Sequence, residues 1–155
     1  MKDKVIASGT DFMAFVREGN QGAYSYRPIA AQGNTTLSRE ANYRESNQKN
    51  NCGYKNFFPG LKGWSATVEM MVPEAKDPDE VDFEELQDWE HSGEKKTFVF
   101  AWVKCTGNGP EIDMTKRMYS GLGLVNCPLT ANNGENVTTS IAIQGCLKLE
   151  IIDPA

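Results

Sequence analysis

The chain has 155 residues, of which 39% are hydrophobic and 24% are charged, and its formal net charge is −5. These values are typical of one globular domain spanning residues 1–155 with a core of its own. The acidic balance argues against a nucleic-acid binder held by phosphate contacts, and no stretch approaches the roughly 18 apolar residues of a membrane span. The N-terminus lacks the apolar core of a signal peptide, which predicts a protein made and kept in a cytoplasm.

The first half of the chain predicts three strands. Residues 11–16 alternate, with Phe12, Ala14 and Val16 on one face, and residues 34–45 and 63–72 alternate in the same way. The intervening stretch, about 42–62, is polar and rich in asparagine, so we expect a long exposed loop there. Residues 24–33 are predicted to be an irregular connector.

One helix is predicted, at about residues 79–91. Asp79 is its expected N-cap and Gly93 its expected C-terminal stop. Six carboxylates cover the solvent side, which is typical of a solvated face. The apolar stripe of this helix comprises Phe83, Leu86 and Trp89.

The last third of the chain predicts a strand and then a hairpin. Residues 95–105 are apolar on both faces, which indicates a strand covered on both sides, by the helix on one. Residues 118–127 and 136–151 read as two strands joined by a turn at Asn133-Gly134. Gly121 and Gly123 are unusual within a strand unless a backbone or a bulky ring packs against them. The inward face of the last strand is predicted to hold Val137, Thr139, Ile141, Ile143, Leu147, Leu149 and Ile151.

No set of residues indicates catalysis or cofactor binding. The single histidine, His91, lies at the predicted helix end, and the chain has no nucleophile elbow, Walker loop or dinucleotide-binding glycine motif. The four cysteines are widely spaced without a CxxC pair, which favours buried or half-buried thiols over a zinc site. We therefore expect neither an enzyme nor a bound cofactor or metal.

The outward faces of three predicted strands carry small polar side chains of mixed charge. An ordinary half-buried sheet has such a solvent side, and so does a smooth wall that must not bind what slides past it. The outward residues are Thr36, Ser38, Glu40 and Asn42, then Ser65, Thr67 and Glu69, and finally Ser140, Ala142, Gln144 and Lys148.

Six phrases, in the right order over nearly the whole chain, resemble the major tail tube proteins of long-tailed (siphovirus-type) bacteriophages and prophages. Each phrase alone is weakly specific, and their shared order carries the resemblance. They are GTDFMAFV at 9–16, NTTLS at 34–38, FPGLKGWSATVE at 58–69, FEEL at 83–86 with SGE at 92–94, YSGLG at 119–123 and IQG at 143–145.

The resemblance implies an antiparallel β-sandwich or partial barrel with one flanking α-helix. It also implies a structural virion protein, assembled in the bacterial host cytoplasm, whose copies form hexameric rings that stack into a tube conducting DNA without binding it specifically. Tape-measure and tail terminator or initiator proteins are the further partners it implies. The outward residues, Ala142 excepted, are then expected to face the lumen.

The expected contact between stacked rings is the part of the polar loop from Asn42 to Phe58, because it is long and polar and ends in two aromatic residues. The residues predicted to form it are Ser46, Asn47, Gln48, Lys49, Asn50, Asn51, Tyr54, Phe57 and Phe58.

Two other functions fit parts of the sequence. A tube subunit of a type VI secretion or other contractile injection system would have a related fold. A small-molecule-binding β-barrel would instead use the apolar strand at 98–103 to line a cavity, and would be monomeric.

Overall fold

The computed structural model describes residues 7–9, 11–46, 52–107, 109–129, 133–134 and 136–154. Within these residues, the segments in which polar and apolar residues alternate form strands, and the segment with the apolar stripe forms a helix. This confirms the predicted mainly antiparallel β fold with one flanking helix. In chain order the elements are β1 (Phe12–Glu18), β2 (Ser25–Pro28), β3 (Gln32–Ser46), β4 (Asn56–Met71), α1 (Phe83–Ser92), β5 (Lys96–Thr106), β6 (Gly109–Ile112), β7 (Met118–Asn126) and β8 (Thr138–Ile152).

The strands form one open sheet in the order β2-β1-β5-β7-β8-β4-β3, with β6 paired to β5. All pairings between these strands are antiparallel, and β2 and β3 lie at the two ends of the order. The sheet is therefore not closed into a barrel. A small-molecule barrel would need such closure, so this alternative is not supported by the fold.

One face of the sheet, which we call the core face, carries the main hydrophobic cluster. Ala14 and Val16 of β1, Phe98 and Phe100 of β5, and Trp64 of β4 are almost completely buried there. Helix α1 covers this face at the β5 and β7 side, as its stripe predicts. The helical residues in the cluster are Phe83, Leu86 and Trp89.

The opposite face, which we call the outer face, is apolar at β1, β5 and β7. Phe15, Val99, Ala101, Val103 and Met118 form a second, smaller cluster there. Strand β5 is therefore buried on both faces, as its continuous apolar run predicts.

Helix α1 begins later than predicted. Its N-cap is Asp82, whose side chain accepts a hydrogen bond of 2.8 Å from the Phe83 amide, rather than Asp79. The preceding residue, Val81, is bridged to Ile29 and donates its amide proton to the Pro28 carbonyl, so this segment is extended and cannot join the helix. Gly93 ends the helix in the left-handed conformation, as predicted.

The predicted loop at 42–62 is largely wrong, because its two ends are strand. Tyr43 pairs with Pro59 and Arg44 with Phe58, so that β3 and β4 continue as a two-stranded ribbon. Polar composition indicated a loop here, but pairing between the strands satisfies the backbone instead. We call residues 39–46 and 52–62 the arm. Two further short strands were missed: β2 lies in the predicted connector, and β6 lies between the strands predicted at 95–105 and 118–127.

The inward face predicted for β8 is correct at Thr139, Ile141, Ile143 and Leu149 and wrong at Leu147, while Ile151, which pairs with Tyr119, lies on the core face but is 40% exposed. Leu147 is 84% exposed and has a φ of 63°. It lies in a bulge, since the register shifts between Ser120 and Leu122 of β7. This bulge turns the Leu147 side chain outward, and Ile151 lies near the free end of the strand.

Trp64 explains the glycines of β7 and β8. A Cβ atom on Gly121 would lie 2.6 Å from the indole ring, and one on Gly145 would overlap both the ring and the Trp64 carbonyl. The predicted bulky ring at Gly121 is therefore this indole, whereas a Cβ atom on Gly123 would lie 2.7 Å from the Ile143 side chain. Its close approach locks β4 against β7 and β8.

Candidate assembly surfaces

The outer face of β3, β4 and β8 is a continuous polar surface. Partners in an antiparallel register lie side by side on the same face, so each row of the sheet can be read across three strands. Thr36, Thr67 and Ala142 form one row, and Ser38, Ser65 and Gln144 form the next. Of the ten residues predicted to line a lumen, only Ser65 is half-buried and the other nine are exposed.

Carboxylates flank the neutral centre of this surface. The Ser65 hydroxyl donates a hydrogen bond of 3.1 Å to Glu40, and the Asn34 amide donates one of 3.3 Å to Glu69. Glu69 also pairs with Ser140 across the strands. The structure thus brings together the predicted polar residues of three strands on one side of the sheet, and both carboxylates have polar partners there.

The arm carries exposed apolar residues on the core-face side. Tyr43 is 69% exposed and Phe57 is 55% exposed, and both share this side with Pro59. Phe58 lies on the other side, paired with Arg44. Tyr43 and Pro59 lie within the predicted polar loop, but neither was among the residues individually predicted to form the ring contact.

The predicted ring-stacking segment is only partly described. Asn47, Gln48, Lys49, Asn50 and Asn51 lie outside the described residues. Ser46 ends β3, and Tyr54, between the two strands, is 81% exposed. The arm therefore presents aromatic side chains on both of its sides.

A groove of about 750 Å³ separates the arm from β8. The pairing of β4 with β8 ends at Ser65 and Gln144, and the two strands diverge beyond this row. The groove is open to solvent and contains three cationic side chains. Its charged residues are Arg39, Glu40, Lys62 and Lys148.

Helix α1 is held to the sheet by an ion pair at its first turn. Arg27 of β2 donates hydrogen bonds of 2.8 Å and 3.0 Å to the Glu85 carboxylate and one of 2.8 Å to the Glu80 carbonyl. It also contacts Glu18 of β1 at 3.1 Å. The hydrogen bonds from Arg27 lower the pKa of Glu85, and the same bonds raise the pKa of Arg27.

The other end of α1 contacts the segment after β7. The Cys127 amide donates a hydrogen bond of 3.0 Å to Glu90, and the Lys96 ammonium lies 5.0 Å from the centre of the Trp89 ring. The Cys127 thiol is buried, and burial raises its pKa.

Among the described residues, no group of three or more His, Cys, Asp or Glu side chains is placed to hold a metal ion. In the same part of the chain, no helix has the length and apolar character needed to cross a membrane.

No family model matches the chain. A search of curated proteins likewise finds no relative. Solved structures do match over nearly the full length. The tail of an empty gene transfer agent particle, refined with C6 symmetry, aligns with a TM-score of 0.66 at 15% identity, covering 95% of this chain and 99% of that one.

Two other solved structures give similar values. The SPP1 tail tube aligns with a TM-score of 0.63 at 14% identity, covering 94% of this chain and 78% of that one. The tube-terminating cap of the anti-feeding prophage aligns with a TM-score of 0.63 at 12% identity, covering 99% and 95%. The open antiparallel sheet with its single covering helix is therefore the fold of phage tail tube proteins.

Proposed function

We propose that this protein is a major tail tube subunit of a siphovirus-type phage or prophage, a structural virion protein without enzymatic activity. Its copies form hexameric rings that stack into a tube through which DNA passes. The observation that carries the proposal is the open sheet, whose core face is buried along its length and whose outer face is polar at β3, β4 and β8 and apolar at β1, β5 and β7. The shared fold of solved tail structures supports it.

Ring formation follows from the unfinished edges of the sheet. Strand β3 has 15 residues and, within the described chain, pairs only with β4. A long strand edge presents unpaired amide and carbonyl groups that pair readily with another chain. Joining sheets around a closed ring removes these edges without leaving an open aggregate.

The polar outer face is the proposed wall of the lumen. Its centre is small and neutral, its carboxylates Glu40 and Glu69 repel phosphates, and Lys148 is the single cation among the proposed lumen residues. At physiological ionic strength this repulsion extends about 8 Å, so it acts across a layer of water beside the wall. The proposed lumen residues are Thr36, Ser38, Glu40, Asn42, Ser65, Thr67, Glu69, Ser140, Gln144 and Lys148.

Residues 46–58 are the proposed contact between rings, and those of them that the structure describes, 46 and 52–58, lie at the outer end of the arm. A two-stranded ribbon is marginally stable in water by itself, and this one leaves Tyr54, Phe57 and Phe58 exposed. Contact with another copy would cover these three aromatic side chains. In the assembled virion tail, built in the host cytoplasm, tape-measure and terminator or initiator proteins are the proposed additional partners.

Negative-stain electron microscopy of the purified protein, at increasing concentration, tests the proposal. We expect rings with sixfold symmetry and then hollow tubes, because edge pairing is a mass-action equilibrium. Analytical ultracentrifugation of the same samples should show large species replacing the monomer. A protein that stays monomeric at every concentration would contradict the proposal.

A tube subunit of a contractile injection system is the second candidate. The anti-feeding prophage cap and a baseplate structure of the same particle share the fold, with TM-scores of 0.63 and 0.59. A contractile system surrounds its tube with a sheath. Particles purified with this protein at their centre should therefore lack a sheath under the first proposal and carry one under the second.

A further inference from the structure

The two ends of the molecule carry opposite charge. The arm, residues 39–46 and 52–62, contains four Lys or Arg and two Glu, a net charge of +2, whereas residues 74–94 contain ten Asp or Glu and one Lys, a net charge of −9. The whole chain has a net charge of only −5. The distribution is therefore strongly uneven, with a basic arm and an acidic segment that includes α1.

These segments lie at opposite ends of the strands. The arm continues beyond the end of the sheet at which β7 begins with Met118 and β8 finishes with Ile152. Helix α1 instead contacts Lys96, the first residue of β5, and Cys127, just after β7. Strand direction thus places the basic and acidic surfaces head and tail on one axis.

The charges are available for contact with another molecule. Arg39, Arg44 and Lys62 are exposed and form no ion pair with the described residues. Glu84 and Asp88, four residues apart on the exposed side of α1, likewise have no ion-pair partner there. Such exposed charges can pair with groups of opposite charge on a second copy.

Exposed apolar groups accompany the charges at both ends. The arm presents Tyr43 and Phe57, while the acidic end presents Met71, at the end of β4, and Leu129, two residues after Cys127. Met71 is 50% exposed and Leu129 is 51% exposed. An interface that joins the ends would bury apolar area within a charged rim.

We propose that the basic arm of one copy docks on the acidic α1 surface of a second copy, which rests on the proposed tube function and specifies its stacking contact. The surfaces differ, so the contact is heterologous. Repeating a heterologous contact without closure builds a filament, and the sign of the charges sets one direction for every copy.

Charge reversal tests this contact. The arm variant carries Arg44→Glu and Lys62→Glu, and the helix variant carries Glu84→Lys and Asp88→Lys. All four residues are exposed, so we expect each variant to unfold at nearly the wild-type denaturant concentration. Each variant alone should assemble at least about tenfold more weakly than the wild type, because an attractive contact becomes repulsive.

Restoration gives the matched control. A protein with all four substitutions has the wild-type net charge and regains complementary ends, so it should assemble within about threefold of the wild type. An equal mixture of the arm and helix variants should also form tubes, since the arm of each fits the helix of the other. Sedimentation velocity at about 0.05 M and 0.5 M salt should show weaker wild-type stacking at high salt.

The outcomes separate this inference from the proposed function. If the wild type forms no rings or tubes, both are wrong. If both reversed variants build tubes as well as the wild type does, the charged contact is wrong and the tube function stands. If the reversals block stacking but neither the fourfold variant nor the mixture restores it, the proposed docking of the arm on the helix is wrong and the tube function stands.

Discussion

The indole ring of Trp64 lies against Gly121, on a strand that is not its hydrogen-bonding neighbour, at a distance that leaves no room for a side chain. A Cβ atom on Gly121 would be 2.6 Å from the ring atom Cζ2. Trp64 is only 1% exposed, so its ring cannot move into solvent to relieve the clash. This contact fixes β4 over β7 and makes the glycine a requirement of packing.

Replacing Gly121 with alanine should therefore destabilise the protein by about 1–3 kcal/mol, the usual range for overpacking a dense core. Urea unfolding followed by Trp fluorescence measures the change. Gly63→Ala is the matched control, because Gly63 is also in a strand and a Cβ there would meet nothing within 4 Å. Equal stability of the two variants would contradict the packing argument.

Replacing Glu85 with glutamine should lower stability at pH 7 by about 1–3 kcal/mol, since Arg27 loses its charged acceptor. The pKa of Glu85 is lowered in the folded protein, so its stabilising contribution is present above the ordinary pKa of 4.5 and is lost as the pH falls through the folded value. The difference between wild type and variant should therefore narrow below about pH 4.5. Denaturation curves at several pH values check this, with exposed Glu84→Gln as the control. If the difference in unfolding free energy between wild type and Glu85→Gln stays constant down to acid pH, the ion pair is contradicted.

The Cys127 thiol should react slowly in the native protein. It is buried, and its raised pKa reduces the thiolate that attacks a thiol reagent. At pH 8 we expect exposed Cys105 to react about 100-fold faster or more, and urea to abolish the difference. The Cys127→Ser variant should lack the slow phase of the labelling reaction, and the Cys105→Ser variant should retain it. Rapid native labelling of Cys127 would show that the segment after β7 opens readily.

Replacing Glu40 and Glu69 with lysine should slow DNA ejection from assembled particles. Cations on the lumen wall would bind phosphates that the native wall repels. Time-resolved dye binding to the released DNA measures the rate. Glu111→Lys is the control, since Glu111 lies on β6, opposite Lys104 of β5 in the strand register, and is not part of the polar surface. An unchanged ejection rate would mean that the two carboxylates do not face the bore.

Deleting residues 46–51 should leave a folded protein that no longer makes long tubes. The two core clusters contain no residue of the arm, so thermal unfolding should change little. Tube length is read by electron microscopy. A segment of equal length removed from the N-terminus serves as a comparison. Unchanged tube length would argue against the stacking role of these residues.

Alternation predicted the faces of the sheet well wherever a strand lies inside the body. Ala14 and Val16 in β1 and Ile141 and Ile143 in β8 are buried as expected. The continuous apolar run of β5 correctly indicated burial on both sides. In each case the local pattern reflects an environment that is uniform along the strand.

The errors occur where a distant partner decides the local structure. At the bulge, β8 advances by four residues while β7 advances by two. Because the excess is an even number, Leu149 faces the core as simple alternation predicts. The sequence therefore gives no sign that Leu147 is displaced. The start of α1 depends on the pairing of Val81 with Ile29, which is 52 positions away. The lumen and stacking surfaces depend on copies of the chain and stay predictions.

The parting of β4 from β8 after Ser65 has a mechanical consequence. Beyond that row the arm is joined to the body through its own two strands, and the irregular register between Ala41 and Tyr43 interrupts even that ladder. Flexing at this joint would leave Trp64 and the clusters below it undisturbed. If arms link successive subunits, a long filament built this way could curve by many small rotations at its joints, with each folded body remaining rigid.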